Sequence, residues 1–202
     1  MVELLVSIAI LAIVLGLGIP SFSAWISNGQ VRSTAESLLA AIQLTRGEAV
    51  RQNNRSQLVL TGDASGVAGW QVVAASSSVP GSFAIADGAT IAQTAGAAET
   101  GENARLGVST AVQPASNCCA ASVAAGTGMG TNPPPGIVFD AFGKVSADLS
   151  VTAVTRIDVT KVGDTEANDE EKNRRMVILI SPFGVAKLCK PSLPASNSQG
   201  CP

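Results

Sequence analysis

Histidine and tyrosine are both missing from this 202-residue chain. Without histidine there can be no Ser-His-Asp or Cys-His catalytic arrangement and no His-containing metal site. Cysteine is scarce and badly spaced for zinc. Cys118 and Cys119 are adjacent, Cys189 and Cys201 close the C-terminus, and no Cys-x-x-Cys occurs. Charged residues make up only 14% of the chain and leave a net charge of −2, so bulk electrostatics favour neither nucleic acid nor anionic lipid. An enzyme is not expected, and neither are a cofactor, a metal or a small-molecule substrate.

Two local patterns could be taken for ligand sites. Gly126, Gly128 and Gly130 lack the Lys-Ser/Thr that follows the glycines of a phosphate loop, and no strong strand precedes them, so they read as loop. The acidic run Asp164, Glu166, Asp169, Glu170 and Glu171 lacks the glycine and ligand spacing of a calcium loop. It reads as a solvated hairpin between strands ending at Val162 and starting at Met176.

What the chain has in abundance is apolar sequence at its front. From Leu4 to Ser27 no charge occurs, and the only one before Arg32 is Glu3. As a helix, Leu4 to Ile26 would extend roughly 34 Å, enough for the hydrocarbon core of a bilayer. No basic residue precedes the run and no small-residue cleavage site follows it, which argues against a cleaved secretory signal. Residues 1–26 are therefore expected to be a transmembrane helical half. An isolated carboxylate in such a segment is a functional candidate, against the plainer reading of Glu3 as a residue at headgroup level.

The helical pattern continues from residue 27 to about 53. Val31, Ala35, Leu38, Ile42 and Ala49 recur in steps of four, three, four and seven, with Leu39 widening the stripe. Arg32, Glu36, Gln43, Arg46 and Arg51 take the other faces. This is an amphipathic helix. Gly16, Gly18 and Pro20 are expected to weaken or kink its apolar half.

Short β-branched runs follow at Gln57–Thr61, Trp70–Ala74, Gly136–Phe139, Ala153–Thr160, Met176–Ser181 and Val185–Cys189. Turn residues separate them at 62–66, 141–143 and 181–184. Val151, Ala153, Thr155, Ile157 and Val159 alternate with Thr152, Val154, Arg156, Asp158 and Thr160, the pattern of one half-buried antiparallel strand. The fold class is α+β: a long N-terminal helix packed on an antiparallel sheet, with the sheet region at 57–189. Residues 76–135, rich in Ala, Gly, Ser and Thr and ending in three prolines, form a variable loop region. It has candidate strands at Phe83–Ala86, Thr90–Gln93 and Leu106–Val112. Beyond a membrane, disulfides are the natural state of the cysteines. Cys189–Cys201, closing the tail 190–202, is the favoured pair. A vicinal Cys118–Cys119 bridge, pairing between the two clusters, and free thiols stay open.

Residues 1–25 followed by 33–60 resemble the N-terminal half of type IV pilins and type II secretion pseudopilins, the GspH/FimT-like minor pilins in particular. The stretch Arg46-Gly47-Glu48-Ala49-Val50 before Leu58-Val59-Leu60 points to that subgroup. So do Gly136-Ile137-Val138-Phe139-Asp140 with Phe142-Gly143-Lys144, and Met176 to Cys189. The resemblance implies a single-pass inner-membrane protein whose domain, residues 27–202, is periplasmic. It also implies partners that are other pilin or pseudopilin subunits, in a surface pilus or a periplasmic pseudopilus. Glu3 would be the assembly glutamate that offsets a neighbour's N-terminal ammonium. A basic leader does not precede the run, and the first two residues of a mature pilin are missing before Met1, so the front looks truncated.

Some members of this subgroup bind DNA through basic residues near the C-terminus. Here Gly184-Val185-Ala186-Lys187 departs from their Gly-Arg-x-Arg pattern. Arg174, Arg175, Lys187 and Lys190 are the remaining candidate contacts, with Glu170 and Glu171 close by, and DNA is not the favoured partner.

Overall fold

The structure is a computed structural model that describes residues 2–62, 68–79, 82–84, 87–96, 104–109, 135–147, 152–161 and 175–201; the side chains at 15, 17–21, 24, 62, 68, 135 and 152 are outside the description. One helix, α1 (Val2–Gln52), runs without interruption through Gly16, Gly18 and Pro20. At 1.5 Å per residue it is about 76 Å long.

The helix ends in a defined cap. Asn53 adopts φ 48°, its N–H donates to the Val50 carbonyl at 3.2 Å, and the Asn54 N–H donates to the Ala49 carbonyl at 3.1 Å. These are the paired bonds of a Schellman ending, with asparagine where glycine is more usual. The Asn54 side chain then donates to the Ser76 carbonyl at 3.0 Å and fixes the turn into the first strand.

Two sheets lie under the second half of the helix. The larger contains β1 (Ser56–Gly62), β2 (Ala68–Ala74), β3 (Thr90–Ala95), β5 (Pro135–Phe139) and β6 (Val145–Ser146) in the order β3-β2-β1-β5-β6. To it β7 (Thr152–Ala153) adds by parallel pairing with β5. The smaller sheet contains β4 (Ala104–Ser109), β8 (Arg156–Lys161), β9 (Met176–Ile180) and β10 (Ala186–Cys189) in the order β10-β9-β8-β4, all antiparallel. The expected stripe is buried as read: Val31, Ala35, Leu38, Ile42 and Ala49 are each at most 1% exposed. They share one core with Leu58, Trp70 and Val72 of the first sheet and with Ile157, Val159 and Ile178 of the second.

Three readings of the sheet region need correction. The single strand over Ala153–Thr160 is two short strands in different sheets, because the chain crosses between them at Val154 and Thr155. The Val154 N–H donates to Gly136 in the first sheet, and the Thr155 N–H donates to Ser109 in the second. The predicted half-burial also fails. Ile157 and Val159 enter the core, and on the opposite face Arg156 and Asp158 are 1% and 2% exposed. Phe83 and Ala84 belong to no strand, while Thr90–Gln93 does lie in β3 and Leu106 in β4. Cys118, Cys119, Arg174, the glycines at 126–130, the acidic run 164–171 and the turn residues 63–66 lie outside the described residues.

Candidate functional site

The helix has two environments. From Val31 onward it supplies core residues. Before that point no buried hydrophobic residue occurs among the described residues, and Val2, Leu4, Leu5, Ile8, Leu11 and Ile13 are all more than half exposed. Phe22 and Trp25, also exposed, stack with ring centroids 6.0 Å apart. Among the described residues, which leave out the side chains at 15, 17–21 and 24 of α1, no helix is long and apolar enough to cross a membrane.

Glu3 lies in the first turn of α1, where a carboxylate meets the positive end of the helix dipole. Its backbone carbonyl accepts the Ser7 hydroxyl at 2.8 Å. Further along, Arg32 and Glu36 pair at 2.8 Å, and Arg51 donates to Glu48 at 2.6 Å. The Arg51 hydrogen bond holds the Glu48 carboxyl below the usual carboxylate range; burial opposes that shift, and a bond from Gln52 assists it.

The C-terminal candidates fall in separate places. Cys189 and Cys201 are joined by a disulfide, with Cα atoms 5.0 Å apart. With Val177 they form a second small buried cluster, against which Leu179 packs. Lys187 is exposed on β10. Lys190 is half-buried, donates to Gln199 at 3.0 Å, and lines a cleft with Trp25 and Arg32. The Arg175 side chain is 9% exposed and donates to Asp158 at 2.7 Å. It belongs to a buried trio, because Arg156 also donates to Asp158, at 2.8 Å. Reading β8 as half-exposed hid this trio. The register that sets Asp158 opposite Val177 on β9 brings Arg175 to it.

Among the described residues no three Cys, Asp or Glu side chains gather as metal ligands. The helix α1 has, among the described residues, one exposed apolar half and one half buried against two sheets.

The family model for the type II transport protein GspH matches residues 34–184. The chain belongs to that family. The description of that family is of a protein of type II transport. Two crystal forms of the type IV minor pilin FimU from Pseudomonas aeruginosa strain PAO1 are similar to it at 18% identity. One match covers 86% of this chain and 96% of that chain with a TM-score of 0.44. The other covers 85% and 99% with a TM-score of 0.40. No curated protein matches the chain significantly.

Proposed function

We propose that the protein is a minor pilin of a type IV pilus, held in the inner membrane by the first half of α1 and then packed into the filament through the same surface. The observation that carries this reading is the division of α1 at Val31. Behind it the stripe Val31, Ala35, Leu38, Ile42 and Ala49 is committed to the domain's own core, and in front of it the large apolar residues among the described ones are left exposed. A run of exposed apolar side chains this long is unfavourable in water and is satisfied by lipid or by neighbouring helices. Glu3 supplies the one charge in that surface. In a helical bundle from which water is excluded, an opposite charge on a neighbour would attract it strongly, and leaving it unpaired would be costly.

The family description favours a second reading, a minor pseudopilin of a type II secretion system. Shearing separates the two. Recovery of the protein with filaments sheared from the cell surface supports the pilus, and retention in the envelope with loss of protein secretion on deletion supports the pseudopilus. Anchoring is tested by alkaline carbonate extraction of membranes. The full chain is expected in the pellet and a chain lacking residues 2–26 in the supernatant; extraction of the full chain would refute the anchor.

DNA uptake is the weaker alternative. Of its candidate contacts, Arg175 is occupied by Asp158, while Lys187 and Lys190 stand in different surroundings. Affinity for duplex DNA rests on several simultaneous phosphate contacts.

A further inference from the structure

Far from the apolar half of the helix, the chain uses the same tight turn twice. Asp140-Ala141-Phe142-Gly143-Lys144 leads out of β5, and Ser181-Pro182-Phe183-Gly184-Val185 leads out of β9. In each, a glycine takes the left-handed conformation, at φ 73° for Gly143 and 78° for Gly184. In each, the first residue closes the loop. Asp140 donates a backbone hydrogen bond to Lys144 and accepts one from Gly143, and Ser181 likewise donates one to Val185 and accepts one from Gly184. Side-chain oxygens reinforce both turns: Asp140 Oδ1 accepts from the Phe142 and Lys144 N–H groups, and Ser181 Oγ accepts from Val185.

The turns come from different sheets and interlock. A Cβ on Gly184 would collide with the Gly143 carbonyl oxygen, and one on Gly143 would sit 2.9 Å from Arg46 Nε. The Val145 N–H donates to the Pro182 carbonyl at 3.1 Å, tying one turn to the other. The result is a rigid platform at the C-terminal end of α1.

That platform presents what a folded domain normally buries. Phe142 is 82% exposed and Phe183 72%, two of the five phenylalanines in a chain with no tyrosine. Val50 and Val185 are more than half exposed beside them. Between helix and turns runs a cleft of about 550 Å³ lined by Arg46, Val50 and Val185 among others. Arg46 is exposed and lies over Gly143, and among the described residues it has no ion partner. Lys144, in the same turn as Phe142, is exposed and likewise has none among the described residues. The nearby Arg51 is already paired with Glu48.

We propose that this surface is a docking site for an acidic, apolar segment of another protein, with a carboxylate on Arg46 and apolar side chains on Phe142, Phe183 and Val185. Exposed aromatics on two turns, one of which touches an arginine with no ion partner among the described residues, have the composition of an interface hot spot. Arg46 and Lys144, with no ion partner among the described residues, select for negative charge. Duplex DNA also carries negative charge, but its bases are stacked and it would gain two phosphate contacts here while leaving the two phenylalanines and two valines in water. The site lies on the outward face of α1 at the C-terminal end of its core-packing stretch and does not depend on how the front of the helix is anchored.

The test is selection of phage-displayed random dodecapeptides on the full chain in detergent micelles, followed by titration of recovered peptides by fluorescence anisotropy at physiological salt. Recovered peptides are expected to combine Asp or Glu with Leu, Ile or Phe. Their dissociation constants should rise about tenfold or more with Arg46→Glu, and independently with the double change Phe142→Ser and Phe183→Ser. All three changed residues are exposed, and unchanged circular dichroism melting would show that the variants fold. Failure to enrich peptides, enrichment without carboxylates, or affinities indifferent to both variants would overturn the proposal. So would a labelled DNA duplex that displaces the peptides and is itself lost on Arg46→Glu.

Discussion

Replacing Leu38 by alanine tests the packing of helix on sheets at its centre. Leu38 is fully buried in the core formed by α1 with both sheets. The change removes three carbons, which at about 0.8 kcal/mol each gives a transfer cost near 2.4 kcal/mol. The void adds about 1 kcal/mol for every ~40 Å³ that does not collapse. Leu38 has the helix on one side and strands of two sheets on the other, so collapse should be incomplete and a loss of about 3–4 kcal/mol is expected. Urea unfolding of residues 27–202 at 25 °C measures it, and the slope with denaturant should be unchanged, so that the midpoint carries the effect. Leu44→Ala, at a position 38% exposed on the same helix, is the control and should cost less than 1 kcal/mol. A Leu38→Ala loss no larger than the control's would show that the helix face has been misassigned. Failure of the fragment to fold would show that the exposed front half of α1 contributes to the domain.

Other consequences follow from the polar groups. Asp158→Asn leaves the buried guanidinium groups of Arg156 and Arg175 without their carboxylate and should cost about 3–5 kcal/mol in the same assay. Reduction of the Cys189–Cys201 bridge, which spans a sequence separation of 12, should lower stability by about 3 kcal/mol in the chain-entropy account. That loss would be read as a fall in melting temperature with dithiothreitol. Because the Arg51 hydrogen bond lowers the pKa of Glu48 in the folded state, the stabilisation from that pair is present above the ordinary carboxylate pKa of about 4.3 and is lost as pH falls through the lowered value. Glu48→Gln should therefore be slightly less stable than the parent at pH 7 and equal to it once the pH is well below that range. A gap that persists in acid would assign the effect to packing.

The helix and most strands were legible because their signals are local. The period of Val31, Ala35, Leu38, Ile42 and Ala49 fixes a buried face whatever lies beneath it. The β-branched runs at 57–61, 70–74 and 176–180 form strands in any context that covers one side. The division into two sheets was not legible. At Val154 and Thr155 the chain changes partners from Gly136 to Ser109, a tertiary event with no glycine, proline or change of period to mark it. The same blindness hid the Arg156–Asp158–Arg175 trio, since alternation predicts which residues share a face but not whether that face is covered. It is also why Arg175 reads from sequence as an available cation. The two Phe-Gly turns were legible as turns. Their contact with each other depends on how the sheets meet, and so on a topology that composition does not encode.

The account rests on α1 having a front half that serves assembly and a rear half that serves folding. Glu3→Ala separates these roles within one chain, because Glu3 lies 28 residues ahead of Val31, the first buried hydrophobic among the described residues. Sheared filaments or cross-linked pseudopilus fractions from cells expressing the variant, compared with the melting of the purified protein, give the measurement. The expected result is an unchanged melting temperature with incorporation strongly reduced. Normal incorporation of Glu3→Ala at normal protein levels would contradict the account.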